Sequence, residues 1–274
     1  QFAGFSSITK TEEGRMSETF YEQDEFPLLG HSYQSNLYDD SGNLYSRTVD
    51  TWATSDLGYD NDYVYKTQSV SMNYDGDSSG GSGSHRDTGA AYTYDSNGNT
   101  ATVINYGEVT AAADGTFTDV SSVDEKYTVT YAYATDTSGT EIRNKVKEEK
   151  LTNSSGGILK WTRWNYDALS YGSVSTGNLT RDARYNDNTR EWYWTVYTYN
   201  AYGLVATAKT PRNYTTSFTY DTYNLYPATT TNPKTYTVNT EYDYATGQVT
   251  SRTDENSITS EMAYDGLGRV LTVS

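Results

Sequence analysis

A chain of 274 residues is long enough for one large domain or two ordinary ones, and with no cysteine it excludes disulfides, thiolate metal sites and thiol catalysis. Its net charge of -16 lies in the first half: residues 1–142 hold 6 Lys+Arg against 23 Asp+Glu. Such a half repels nucleic acid, and it reads as a solvated outer face before it reads as a surface for cationic partners or calcium.

A hydrophobic fraction of 35% and a mean hydropathy of -0.79 lean towards disorder, but 29 tyrosines argue otherwise. A tyrosine buries a large ring while its hydroxyl finds a polar partner, so it can stand in for Leu and Ile. With Thr, Val and Trp also abundant, the chain is rich in strand formers. No stretch approaches the roughly 18 apolar residues of a membrane span, and no signal peptide is visible. The first residue is Gln1, which predicts an excised or processed piece of a longer chain.

Residues 1–90 read as a β-meander. Phe2–Thr9 and Arg15–Tyr21 flank a turn at Glu12-Glu13-Gly14, and after a loop over 24–30 come His31–Tyr38, a turn at 39–43 and Leu44–Ala53. Asp, Ser, Gly and Asn between alternating runs make the second turn a strong hairpin signal. Tyr63–Tyr74 predicts a strand that runs into a Gly/Ser-rich loop over 76–89.

Residues 91–198 predict divergent hairpins. Tyr92–Tyr94 and Thr100–Tyr106 flank a turn, and Tyr127, Val129, Tyr131 and Tyr133 share one face at period 2. Glu141–Thr152 reads as a charged strand, Ile158–Tyr166 follows the turn at 153–157, and a strand from Gly177 ends near Tyr185. Glu191–Tyr199 then puts Trp192 and Trp194 on one face and Tyr193 and Tyr197 on the other.

From 199 to 274 a period emerges. Tyr199-Asn200, Tyr220-Asp221, Tyr242-Asp243 and Tyr264-Asp265 recur at steps of 21, 22 and 22 residues. A period of this size marks a repeat architecture. Each unit runs Tyr-Asp/Asn, turn, strand, second turn and return strand. Tyr199, Tyr220, Tyr242 and Tyr264 are expected to form a stacked core, and Asn200, Asp221, Asp243 and Asp265 to fix the turns. A hairpin alone is marginal in water, so the units must stack. The last repeat is incomplete.

Chemistry is sparse. Gly76-Asp77-Ser78-Ser79-Gly80 matches G-x-S-x-G, but a Gly/Ser tract follows where a nucleophile elbow needs a helix. His31 and His85 are too few and too far apart for a zinc site. The turns at 39–43 and 95–99 resemble calcium loops, yet glycine falls fourth and the distal acid is missing. No carboxylate pair is marked by spacing for glycosidase work. Trp161, Trp164, Trp192 and Trp194 could form a sugar-stacking platform, and interior packing explains them as well. Asn153, Asn178 and Asn213 open glycosylation sequons that chance alone explains in so polar a chain. No catalytic, metal or cofactor site is predicted.

Tyr264-Asp265-Gly266-Leu267-Gly268-Arg269-Val270 resembles the hallmark of the YD repeat, also called the Rhs repeat, and residues 199–205 and 242–249 are similar copies. Phe20–Asp24, Leu29–His31 and Tyr38–Leu44 resemble the opening of the repeat region in Tc-type toxin B components. The resemblance implies an all-β fold of repetitive antiparallel β-hairpins stacked into a spiral sheet, a shell segment. It implies a secreted or cell-surface, bacterial, non-enzymatic protein. Its partners would be the remaining YD-repeat regions of the same polypeptide or copies of itself, around an enclosed toxin or effector cargo domain. The alternative is a glycan- or receptor-binding adhesin module using the four tryptophans. The family's self-cleaving motif is built on Asp-Pro, and this chain has no such dipeptide.

Overall fold

The computed structural model describes residues 4–23, 26–56, 62–77, 84–120 and 125–274. Among these there is no helix, and 22 strands follow in chain order. The first nine are β1 (Ser7–Glu12), β2 (Arg15–Tyr21), β3 (Ser32–Tyr38), β4 (Leu44–Asp56), β5 (Asp62–Asp77), β6 (Arg86–Tyr94), β7 (Thr100–Ala111), β8 (Phe117–Asp119) and β9 (Tyr127–Tyr133). Then come β10 (Thr135–Asp136), β11 (Val146–Asn153), β12 (Ile158–Tyr166), β13 (Ser173–Val174), β14 (Leu179–Asn186) and β15 (Glu191–Tyr199). The last seven are β16 (Val205–Lys209), β17 (Thr215–Tyr220), β18 (Pro227–Thr231), β19 (Thr237–Tyr242), β20 (Val249–Thr253), β21 (Thr259–Tyr264) and β22 (Val270–Val273).

The chain forms two compact units, residues 1–132 with 148–161, and residues 133–147 with 162–274. In the first, β1 to β7 form an antiparallel meander in which each strand pairs with the next. Strand β7 then takes β8 beside Val109–Ala111 and β9 beside Thr102–Asn105. Leu44, Val49, Val70, Met72 and Tyr74 make the buried cluster, with Tyr38, Ala111 and Phe117 packed against it. Gly115 turns with φ 85° so close to this cluster that a Cβ there would stand 2.6 Å from a methyl of Val49.

In the second unit, β12 pairs with β14, β14 with β15, and each strand to β22 with the one before it, all antiparallel. A cluster of Ala134, Tyr166 and Val174, backed by Ile142, Trp164 and Leu179, fills the start of this ladder. Beside it β10 and β13 pair in parallel. They are two residues long, too short to leave a period in the sequence.

Several boundaries move. The first strand starts at Ser7, and Phe2 lies outside the described residues. Strand β6 begins at Arg86, inside the stretch read as a loop, because Gly89 pairs with Gly107 and a Cβ there would stand 3.0 Å from the Phe117 ring. Residues 141–145 are irregular and the charged strand starts only at Val146. Ser78, Ser79 and Gly80 of the G-x-S-x-G match lie outside the described residues.

Candidate functional site: the tyrosine-turn ladder

The repeat carries one bonding rule. Each tyrosine of a Tyr-Asp pair closes a strand at a register shift, opposite the first residue of the next strand: Tyr166 with Leu179, Tyr199 with Val205, Tyr220 with Pro227, Tyr242 with Val249 and Tyr264 with Val270. The next tyrosine along then donates its hydroxyl to the carbonyl of that first residue. Tyr199 reaches Leu179 O at 2.6 Å, Tyr220 reaches Val205 O at 3.0 Å, Tyr242 reaches Pro227 O at 3.3 Å and Tyr264 reaches Val249 O at 2.8 Å. The last three bonds each span 15 residues. A bulge leaves part of the ladder without a strand partner, and the hydroxyl supplies one.

Asp or Asn after the tyrosine accepts from the backbone N–H two and four residues on. Asn200 takes Tyr202 and Leu204, Asp221 takes Tyr223 and Leu225, and Asp265 takes Leu267 and Arg269, all at 2.9–3.0 Å. Asp243 takes Ala245 and Thr246. These are Asx turns, which mimic a backbone turn with a side chain. The Asp265 carboxyl is held below the usual carboxylate range by the Arg269 N–H and its guanidinium; Asp221 is also lowered, its four turn N–H groups outweighing the burial that opposes ionisation.

The two turns resembling calcium loops are built alike. Asp39 accepts from Ser41 and Asn43, and Asp95 from Asn97 and Asn99, so both carboxylates are already occupied by their own loops. The second turns repeat the device at Asn232 and Asp254, a role the sequence pattern did not single out. The signal was there: an Asx or Thr stands three residues before four of the left-handed residues, at Thr210/Asn213, Asp221/Asn224, Asn232/Thr235 and Asp254/Ser257.

The four repeat tyrosines are half-buried, and no residue from Tyr199 to Ser274 is fully buried. The reason is that this stretch is one layer of strands. Its faces differ: Phe218, Thr230 and Val238 align on the tyrosine side, while Thr198 with Thr207 and Thr253 with Thr259 pair hydroxyls on the other. Tyr242 stacks on Tyr226 at 4.7 Å.

The tryptophans do not form one platform. Register puts Trp164 opposite Asp182 and so beside Thr195, while Arg163, Ala183 and Trp194 share the other face. Trp164 packs on the Ala134–Tyr166–Val174 cluster. Trp192 and Trp194 lie 6.1 Å apart, with the Arg163 guanidinium 4.5 Å from the first ring and Arg181 at 6.0 Å from the second. Trp161 has the Lys150 ammonium at 5.0 Å. His31 packs edge-on against Trp52 at 4.9 Å, and His85 bonds the buried Asp87 carboxylate. Among the described residues no group of three or more His, Asp or Glu could hold a metal, and no helix is long and apolar enough to cross a membrane.

A family model described as RHS repeat matches residues 242–274. No curated protein matches. Two solved structures share the fold: a crystal structure of TcdB2-TccC3, with TM-score 0.73 and 10% identity over 100% of this chain, and a Tc holotoxin pore from Photorhabdus luminescens carrying a TccC3 mutation, with TM-score 0.71 and 11% identity over 99%. The chain spans about a fifth of each, 21% and 20%. Residues 242–274 thus carry an RHS, or YD, repeat, and the chain as a whole is similar in fold to these two Tc toxin structures.

Proposed function

We propose that the chain is a structural wall segment of a YD-repeat shell, one that encloses or presents a toxin or effector cargo within a larger secreted or surface protein. The observation that supports this reading is the single-layer ladder from Tyr199 to Ser274, repeated by the same hydroxyl bond and without a fully buried residue. Such a layer separates two spaces and extends by copying one hairpin. The Tc toxin folds support the same reading. The work is containment, with no step of chemistry assigned to the chain. Its partners are the remaining repeats of the same polypeptide, or copies of itself, because edge strands seek partners. No observation favours the glycan reading, since the tryptophan faces carry cations or core.

Limited proteolysis of the full polypeptide tests containment. The segment downstream of the repeats should resist a protease in the native protein and become cleavable when Tyr220 and Tyr242 are both changed to Ala. Equal cleavage in the two proteins would sink the proposal.

A further inference from the structure

A second arrangement of tyrosines, in the acidic first unit, differs from the repeat ladder. Tyr63 and Tyr65 on β5 and Tyr92 and Tyr94 on β6 line a recess of about 410 Å³. The β5–β6 ladder ends with Gln68 opposite Ala91, and beyond that end the rings of Tyr65 and Tyr94 meet across the two strands. Across β4, the small Ser55 stands opposite Tyr63 and Ala53 opposite Tyr65, which leaves the space. Three rings gather there: Tyr63 to Tyr65 at 5.6 Å, Tyr65 to Tyr94 at 5.2 Å and Tyr63 to Tyr94 at 6.3 Å.

Two of the four hydroxyls are committed elsewhere. Tyr63 donates to Gly98 O at 2.7 Å and Tyr94 to Lys66 O at 2.9 Å. Glycine at 98 admits the first ring, since a Cβ would stand 2.9 Å from it. The tyrosine rings thus line the recess together with the small polar residues Ser55, Thr93 and Ser96. Among its described lining residues the only charged one is Asp95. Burial opposes ionisation of Asp95, but the Asn99 amide and the backbone N–H groups of Asn99 and Asn97 outweigh it, so its pKa is lowered.

Aromatic faces attract a cation within about 6 Å of each centroid. Three rings with centroids no more than 6.3 Å apart form one aromatic surface beside the recess, against which a single cation can rest. A small hard cation is a poor match, because it needs several oxygens at about 2.0–2.6 Å and two of the tyrosine oxygens here are already bonded to backbone. A large, weakly hydrated cation gains both ring attraction and apolar burial. We propose that the Tyr63–Tyr65–Tyr92–Tyr94 recess binds a quaternary ammonium group of about the size of choline. The recess falls within the usual range for small-ligand pockets, roughly 300–1,000 Å³, and residues 1–142, with 6 Lys+Arg against 23 Asp+Glu, supply a favourable field.

The test is a titration of the whole chain with tetramethylammonium chloride, read by NMR on ring-labelled tyrosine. Saturable shifts at Tyr65 and Tyr94 are expected, and tert-butanol, a neutral molecule of similar volume, should not produce them. Tyr65→Leu should weaken binding about tenfold, and Tyr65→Trp should keep or tighten it, since Trp is the stronger cation–π partner. Circular dichroism of both variants controls for folding. Binding of tert-butanol as tight as that of tetramethylammonium, an unchanged affinity in Tyr65→Leu, or no saturation at concentrations on the order of 10 mM would each overturn the proposal. Phosphatidylcholine vesicles separate two sources of the group. Sedimentation with them, competed by tetramethylammonium, assigns a lipid headgroup; saturable tetramethylammonium binding without sedimentation assigns a free ligand.

Discussion

At the scale of single residues, the repeat tyrosines combine a half-buried ring with a hydroxyl bond to a strand's first carbonyl. Because no ring from Tyr199 on is fully buried, truncation costs less than in a closed core. Tyr220→Ala should destabilise the chain by about 2–3 kcal/mol, and Tyr220→Phe by about 1 kcal/mol for the hydroxyl alone. Denaturant unfolding of both variants measures the two parts; equal losses would mean that the ring contributes nothing. Thr235 is a different case. It holds φ 68°, a left-handed conformation that a β-branched residue adopts under strain. The sister turns use Asn213, Asn224 and Ser257 there. Thr235→Asn should therefore stabilise by about 0.5–1 kcal/mol, seen as a higher melting temperature, while a fall in melting temperature would show that the threonine hydroxyl bond to Lys234 O outweighs the strain.

At the scale of elements, the parallel pair β10–β13 depends on two carboxylates. Asp167, with Ala168 also left-handed at φ 56°, accepts from the backbone N–H groups of Ser175, Thr176, Gly177 and Asn178 and so closes the loop that buries Val174. Burial opposes its ionisation, but the Thr176 hydroxyl and these N–H groups hold its carboxyl well below the usual range. Asp136 on β10 is lowered to about 2 by the Ser138 hydroxyl and the backbone around it. Both folded pKa values lie below those of an unfolded chain, so their stabilisation is whole above about pH 4 and fades as pH falls towards the folded values. Amide exchange at Ser175–Asn178 should accelerate between about pH 4 and pH 2. Asp167→Asn should already exchange fast at pH 7 and lose most of that acid step; a variant with the native acid profile would exclude Asp167 as the clip.

The same elements show what a sequence can reveal. Tyrosine period and Asx turns were legible because both are local: a ring every hairpin and a carboxylate two to four residues from its donors. The hydroxyl acceptors were not, since a carbonyl carries no residue signature and Val205, Pro227 and Val249 share only their place opposite a bulge. Nor was the separation of Trp164 from Trp194. It depends on the register between β12 and β14 across a 12-residue connection, which alternation within either strand does not reveal.

For the whole molecule, the question is how far the ladder extends. Strand β22 is exposed throughout, with Val270, Leu271 and Val273 each more than half accessible. The Val270 carbonyl stands where Leu179, Val205, Pro227 and Val249 each receive a tyrosine hydroxyl. Light scattering of the isolated chain should show concentration-dependent association, and charged residues in place of Leu271 and Val273 should suppress it. A monomer at every concentration would argue that the β22 edge is not adhesive.

The hydroxyl bonds also give the array a direction in time. Every repeat tyrosine bonds to a carbonyl 15 or 20 residues nearer the N-terminus, in a strand synthesised before it and ahead of it in leaving the ribosome. No repeat waits for a residue still to be made before its tyrosine can lock. The array is thus suited to being laid course by course as the chain emerges, each hairpin setting against an earlier one, which spares a tyrosine-rich chain from searching for its partners after release.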